Sequence, residues 1–205
     1  MGSRRIGFFG GSFDPPHRGH LMVAQAAAKA FALDRVLLVP TGRQPLKPDG
    51  ATASFADRLE MVRLLCGDAR GLEASSLDAP RTDAQPNYTV GTLARMQGEL
   101  GTEAAIFVIV GVDAFLELPR WREPDELLRL AEWIVVTRPG FALQQLNDMD
   151  LTSSQRARIH LLDGIAEEVS ATVIRNALHE GRDCSEFVPT AVLDYIMQHH
   201  LYETQ

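Results

Sequence analysis

The chain has 205 residues, room for one domain with a generous core, and its 45% hydrophobic and 7% aromatic content is that of an ordered globular protein. A formal net charge of −7 speaks against a nucleic-acid-binding surface and directs attention to small anions held in a local basic pocket. No stretch approaches the ~20 apolar residues of a membrane span, the N-terminal apolar run is too short for a signal peptide, and Cys66 and Cys184 stand far apart as a reduced pair, so a cytoplasmic protein without membrane partners is expected.

In chain order, Arg4 to Phe9 is a short apolar run broken by Gly10 and Gly11, which predicts a buried strand ending in an open turn. Asp14-Pro15-Pro16 then makes a rigid kink, and a helix is expected from Pro16 or His17 through LMVAQAAAKAFAL. That puts His17 and His20 on one helical face at the helix mouth, where imidazole N–H groups and free helix amides together form an anion site. Two histidines supply only two metal ligands, and neither cysteine has a second beside it, so a zinc site is not indicated.

RVLLVP (Arg35 to Pro40) predicts the second strand, followed by the loop TGRQPLKPDG. Ser54 with Asp57 reads as a capping box opening the helix FADRLEMVRLLC, and Gly71 to Leu77 as a third strand. A polar loop leads to the helix TVGTLARMQGEL, then AAIFVIV (Ala104 to Val110) is a central strand broken at Gly111 and Asp113. EPDELLRLA is a short helix, WIVVT a fifth strand and RIHLL (Arg158 to Leu162) a sixth, before VSATVIRNALHEG and a last helix from Pro189 to His200. His199, His200 and the nearby acidic residues read as a solvated tail. Strands alternating with helices predict an α/β fold: a parallel sheet of five to six strands, covered on both faces, in one domain spanning residues 1–205.

In such sheets ligands bind beyond the carboxyl ends of the strands. Gly10-Gly11, the loop from Thr41 to Pro48, Asn87-Tyr88-Thr89, Gly111-Val112-Asp113, Arg138 and the segment Ser170 to Arg175 all follow strands on that edge. Ser170 is a good N-cap, and Arg175 projects a forked cation from the next turns, suiting either phosphate oxygens or a plain capped helix. Trp121 suits either ring stacking or packing, and Arg138 either a phosphate or an exposed strand end.

There is no GxGxxG after the first strand and no GxxxxGK[ST] in the chain. The segment GGSFDPPHRGH instead resembles the signature of the HxGH nucleotidyltransferase family, and SATVIR its second signature, with Ala171 where many members have Ser. Lys47, Asn87-Tyr88-Thr89, Gly111-Val112-Asp113, Leu118, Trp121 and Val136-Thr137-Arg138-Pro139 resemble the nicotinate mononucleotide adenylyltransferase branch, with Leu46 and Val112 departing from its usual His and Ala. The resemblance implies a Rossmann-like three-layer αβα sandwich and transfer of adenylyl from ATP to nicotinate mononucleotide in NAD synthesis. It implies catalytic roles for His17, His20, Lys47 and Arg175. ATP would meet Gly10, Gly11, Ser12, Phe13, His17, His20, Gly111, Asp113, Ser170, Thr172, Ile174 and Arg175. The acceptor would meet Lys47, Asn87, Tyr88, Thr89, Trp121 and Arg138, with Mg²⁺ brought in by ATP rather than by a protein cage. Transfer to a different phosphate acceptor and a non-catalytic nucleotide sensor are the competing readings; self-association is left open.

Overall fold

The computed structural model describes residues 4–43, 50–101, 103–137, 144–164 and 170–203. Its centre is one parallel sheet of six strands: β1 (Arg4–Gly11), β2 (Arg35–Pro40), β3 (Leu72–Ala74), β4 (Ala104–Gly111), β5 (Glu132–Val136) and β6 (Ile159–Leu162), in the order β3-β2-β1-β4-β5-β6. The helices of the described residues are α1 (Arg18–Ala30), α2 (Phe55–Cys66), α3 (Thr89–Leu100), α4 (Val112–Leu116), α5 (Pro124–Leu130), α6 (Gln144–Asn147), α7 (Ser153–Arg156), α8 (Ala171–His179) and α9 (Thr190–Gln198).

The strands read as continuous apolar runs because both faces of the sheet are covered. In β4, Ile106, Val108 and Val110 join one core while Phe107 and Ile109 join the other, as the two-residue period of a strand requires. One face carries α1, α2, α8 and α9 through side chains such as Ala24, Met61, Ile174 and Val192. The other carries α3, α4 and α5 through Leu93, Phe115 and Leu127. The result is a three-layer αβα sandwich. Gly7 makes room for the side chains packed over β1, since a Cβ there would meet Leu33 Cδ1 and Val36 Cγ2, each at 3.0 Å.

The bounds of β2, α2 and α3 agree with the sequence reading. β1 runs on through Gly10 and Gly11 and β4 through Gly111, past the glycines expected to break them, and the last helix is trimmed to Thr190–Gln198; other details differ too. The helix expected from Pro16 or His17 starts at Arg18, with His17 as its extended cap (φ −145°, ψ 173°). The third strand is cut to Leu72–Ala74, an edge strand paired only with β2. The capping box at Ser54 forms by half: Ser54 Oγ accepts from the Asp57 N–H at 3.2 Å, but the Asp57 carboxylate accepts from the Ser54 and Tyr195 hydroxyls instead of returning to the cap backbone. Among the described residues no helix is long and apolar enough to cross a membrane.

Candidate active site

The crevice follows from the strand register. β1 pairs with β4 only as far as Phe9 opposite Ile109, whereas Gly10 and Gly11 stay with Val39 and Pro40 of β2, and Gly111 stays with Val136 of β5. The two halves of the sheet therefore part where strand order reverses, and the gap is floored by the glycine ends of β1 and β4. Gly10 and Gly11 lie hard against aromatic rings: a Cβ on either would stand 3.0 Å from the Phe8 ring or 3.2 Å from the Phe13 ring.

Beyond Gly11 the chain turns at Phe13 (φ 48°) and passes a cis Asp14–Pro15 peptide into His17. The His17 N–H donates to Nδ1 of His20 at 3.2 Å, and the two rings lie 3.9 Å apart between centroids. With Nδ1 accepting, a neutral His20 carries its proton on Nε2, where it is a donor for a ligand oxygen. Phe13, fully buried, backs the His20 ring at 4.8 Å. Burial lowers the His17 pKa to about 4, and burial followed by the His17 charge lowers that of His20, so both are neutral donors at neutral pH in the free protein.

The expected cluster of free helix amides is not what the turn offers. The Arg18 N–H donates to the Phe187 carbonyl at 2.8 Å, the His17 N–H is taken by His20, and the His20 N–H returns to the His17 carbonyl at 3.0 Å.

Arg175 reaches this turn from the other end of the chain. Ser170 caps α8 by accepting from the Val173 N–H at 3.3 Å, and Arg175 donates from Nη1 to the Asp14 carbonyl at 2.7 Å and from Nη2 to Thr172 Oγ1 at 3.1 Å. Two residues expected to meet ATP, Phe13 and Ile174, have side chains buried in the core (0% and 1% exposed), so only their backbones are open to a ligand. Apolar positions inside a binding motif hold the polar ones in place.

Several residues that organise the site carried no signal in the sequence. Arg58, on α2, is buried and donates to three backbone carbonyls, one after β1 and two between β2 and α2: Ser12 at 2.7 Å, Thr41 at 2.9 Å and Ala53 at 3.2 Å. The Asp14 carboxylate accepts from the amides of Thr52 and Ala53 and from the hydroxyl of Tyr202. His199, His200 and Asp194 are exposed, as the reading of a solvated tail expects, whereas Tyr202 just beyond them is buried. Asp78 accepts from the Gly42 amide at 3.1 Å and the Thr92 hydroxyl at 2.7 Å. A Cβ on Gly42 would lie 2.5 Å from the Asp78 carbonyl oxygen, so the contact requires glycine.

On the acceptor side, Tyr88 is the extended cap of α3, Thr89 its first residue, and the Arg122 guanidinium lies 4.8 Å from the centre of the Tyr88 ring. A cleft of about 350 Å³ opens there, lined among others by Asn87, Tyr88, Gly91, Arg95 and Arg122. The Asn87 side chain is spent on the loop, donating to the carbonyls of Asp78 and Ala79 at 3.0 and 2.9 Å, and its backbone N–H donates to Arg43. Asn87 thus shapes this side rather than presenting its amide N–H to a ligand. Trp121 is half-buried, edge-on to the buried Trp133 at 6.2 Å. Gly111 and Asp113, at the start of α4, are exposed on the far lip of the crevice. Lys47 and Arg138 lie outside the described residues. Among the described residues no three His, Cys, Asp or Glu side chains converge as a metal cage.

Residues 8–177 match the cytidylyltransferase-like family. A protein of Roseiflexus castenholzii named "Probable nicotinate-nucleotide adenylyltransferase" is 40% identical over 98% of this chain and 100% of its own length. One of the same name from Synechococcus sp. (strain JA-3-3Ab) is 41% identical over 97% of this chain and 95% of its own. Among solved structures, Plasmodium falciparum nicotinic acid mononucleotide adenylyltransferase complexed with NaAD shares the fold, with a TM-score of 0.74, 18% identity and 97% of each chain covered. With its histidine turn at the sheet crevice and full-length relatives of one name, the chain belongs to the cytidylyltransferase-like family, in the branch named nicotinate-nucleotide adenylyltransferase.

Proposed function

We propose that the chain, as a single cytoplasmic domain, transfers the adenylyl group of ATP to nicotinate mononucleotide, giving nicotinate adenine dinucleotide and pyrophosphate. The observation that carries this reading is the coupled pair His17 and His20 at the sheet crevice, with Arg175 hydrogen-bonded to the same turn. The acceptor's 5′-phosphate is already an anion, so no general base is needed and catalysis rests on positioning and charge. One acceptor oxygen bonds to the α-phosphorus in line with the bond to the bridging oxygen, which breaks and leaves on pyrophosphate. His17 and His20 donate to oxygens of the α-phosphate as charge gathers on them, through neutral N–H groups. Arg175 and Lys47 neutralise the β- and γ-phosphates, with the capped start of α8 at Ser170 and Thr172 beside them. Mg²⁺ enters as part of the ATP substrate, spreading the charge of the phosphates. Gly10, Gly11, Ser12 and Gly111 bring backbone close to the nucleotide, and Asp113 accepts from its ribose hydroxyls.

For the acceptor, the Tyr88 and Thr89 amides meet the nicotinate carboxylate, the Trp121 ring stacks on the pyridine, and Arg138 with Lys47 takes the phosphate. The names of the full-length relatives favour this acceptor over another phosphate.

The assignment of sides is tested by paired variants. Arg175→Ala is expected to raise KM for ATP by about tenfold and leave KM for the acceptor within about twofold, because a forked cation on the triphosphate touches nothing of the mononucleotide. Trp121→Ala is expected to do the reverse, since stacking serves only the acceptor ring. Steady-state kinetics with each substrate varied in turn reads both; crossed results would exchange the two residues between the sites.

A further inference from the structure

We infer that Tyr202 is a positioning residue for adenylyl transfer: its hydroxyl ties the end of the chain to the Asp14 carboxylate, and through that carboxylate sets where His17 and Arg175 stand. The inference rests on the transfer reading above.

After α9 ends at Gln198, His200 and Tyr202 take left-handed conformations (φ 52° and 65°), and the Leu201 N–H donates back to the Ile196 carbonyl at 3.0 Å. These two reversals drop the Tyr202 ring into the core beneath the catalytic turn, leaving 9% of it exposed. Its hydroxyl donates to Asp14 Oδ1 at 2.7 Å. Burial first, and then the Asp14 charge, raise the phenol pKa above the usual tyrosine range, so the hydroxyl remains a donor at neutral pH.

A tyrosine serving only to anchor a terminus needs no particular partner. This one meets a carboxylate whose other donors are the amides of Thr52 at 2.6 Å and Ala53 at 3.0 Å, just before α2. The carbonyl of the same Asp14 accepts Arg175, and His17 follows three residues later. One residue thus links the chain end, the segment leading into α2, the triphosphate arginine and the histidine turn. Arg58 neighbours this carboxylate too and holds the adjacent Ser12 carbonyl at 2.7 Å. Removing the hydroxyl leaves Asp14 with two donors on one side, and the turn is free to settle toward them. The reacting geometry tolerates little such movement.

Tyr195 supplies an internal control. It stands on α9, and its hydroxyl donates to a carboxylate, Asp57 Oδ1, at 3.0 Å, but Asp57 lies on α2 and not in the catalytic turn. Tyr202→Phe is expected to lower kcat by about tenfold and, through Arg175, to raise KM for ATP by less than Arg175→Ala does, with KM for the acceptor within about twofold. Tyr195→Phe is expected to keep wild-type kcat; Tyr202→Phe loses a few degrees of Tm, about what one buried hydrogen bond contributes, and Tyr195→Phe, whose hydrogen bond is part-buried, loses less. Turnover is referred to the folded fraction by titration with ATP, so partial unfolding does not count as lost catalysis. Wild-type kcat in Tyr202→Phe, equal kcat losses in the two variants, or a loss expressed in KM alone would each overturn the inference. Absence of pyrophosphate release by the wild type would overturn the transfer reading itself, and the inference with it.

Discussion

His17→Ala is expected to lower turnover by on the order of 10² or more while leaving the fold in place, the usual loss when one preorganised donor to a developing charge is removed. The fold survives because the turn is held by other groups: Asp14 is fixed by Thr52, Ala53 and Tyr202, and the bond from residue 17 to His20 Nδ1 uses the backbone N–H, which alanine retains. His20 therefore keeps its tautomer in the variant, and the loss reports the His17 imidazole alone. Since burial lowers the His17 pKa to about 4, the group removed is a neutral donor, not a fixed positive charge. The measurement is kcat at saturating ATP and acceptor, beside a thermal melt. Near-normal turnover in a folded His17→Ala protein would remove the histidine turn from the chemistry.

The second large effect is on stability. Arg58→Met is expected to destabilise the protein by about 3 kcal/mol, taking three carbonyls together at the ~1–3 kcal/mol a buried unsatisfied group costs and offsetting that by the expense of burying a guanidinium in the native protein. For a chain of this size the change corresponds to a fall of roughly 6–12 °C in Tm. No smaller cation replaces it: a guanidinium sends separate donors to Ser12, Thr41 and Ala53, whereas the lysine ammonium of Arg58→Lys is a single point. Arg58→Lys is accordingly expected to melt closer to Arg58→Met than to the wild type. An unchanged melting temperature in both would mean that the segments around Ser12, Thr41 and Ala53 hold one another without it.

The contrast between these two residues shows where sequence reasoning reached and where it stopped. The histidine turn was legible because glycine pair, Asp-Pro and both histidines arrive together at the first strand end, α2 because a cap precedes a helical run of apolar residues, and α3 because a polar loop gives way to such a run. Arg58 sits inside such a run and reads as part of the solvated face; it is buried because the chain after β1 and after β2 closes over it, at Ser12 and Thr41. Tyr202 is 188 positions from its partner Asp14, and nothing local marks it. The short helices α4, α6 and α7, of four or five residues, hold too few positions for a helical period to be recognised. Free amides at the start of α1 were expected from helix geometry alone, yet Phe187, distant in the sequence, takes the Arg18 N–H, and the His20 ring folds back on the His17 N–H. Lys47 and Arg138 lie outside the described residues, and their roles rest on the resemblance.

The most direct test of adenylyl transfer is kcat/KM for a panel of acceptors with ATP and Mg²⁺, read by pyrophosphate release and by identification of the product. Nicotinate mononucleotide is expected to give pyrophosphate and nicotinate adenine dinucleotide in equal amounts. Nicotinamide mononucleotide is expected to be used at least ~10²-fold less well, since its neutral amide leaves the Tyr88 and Thr89 amides without a charged partner. Equal use of the two would contradict the carboxylate pocket, and pyrophosphate release with a different phosphate acceptor but none with nicotinate mononucleotide would contradict the proposed reaction.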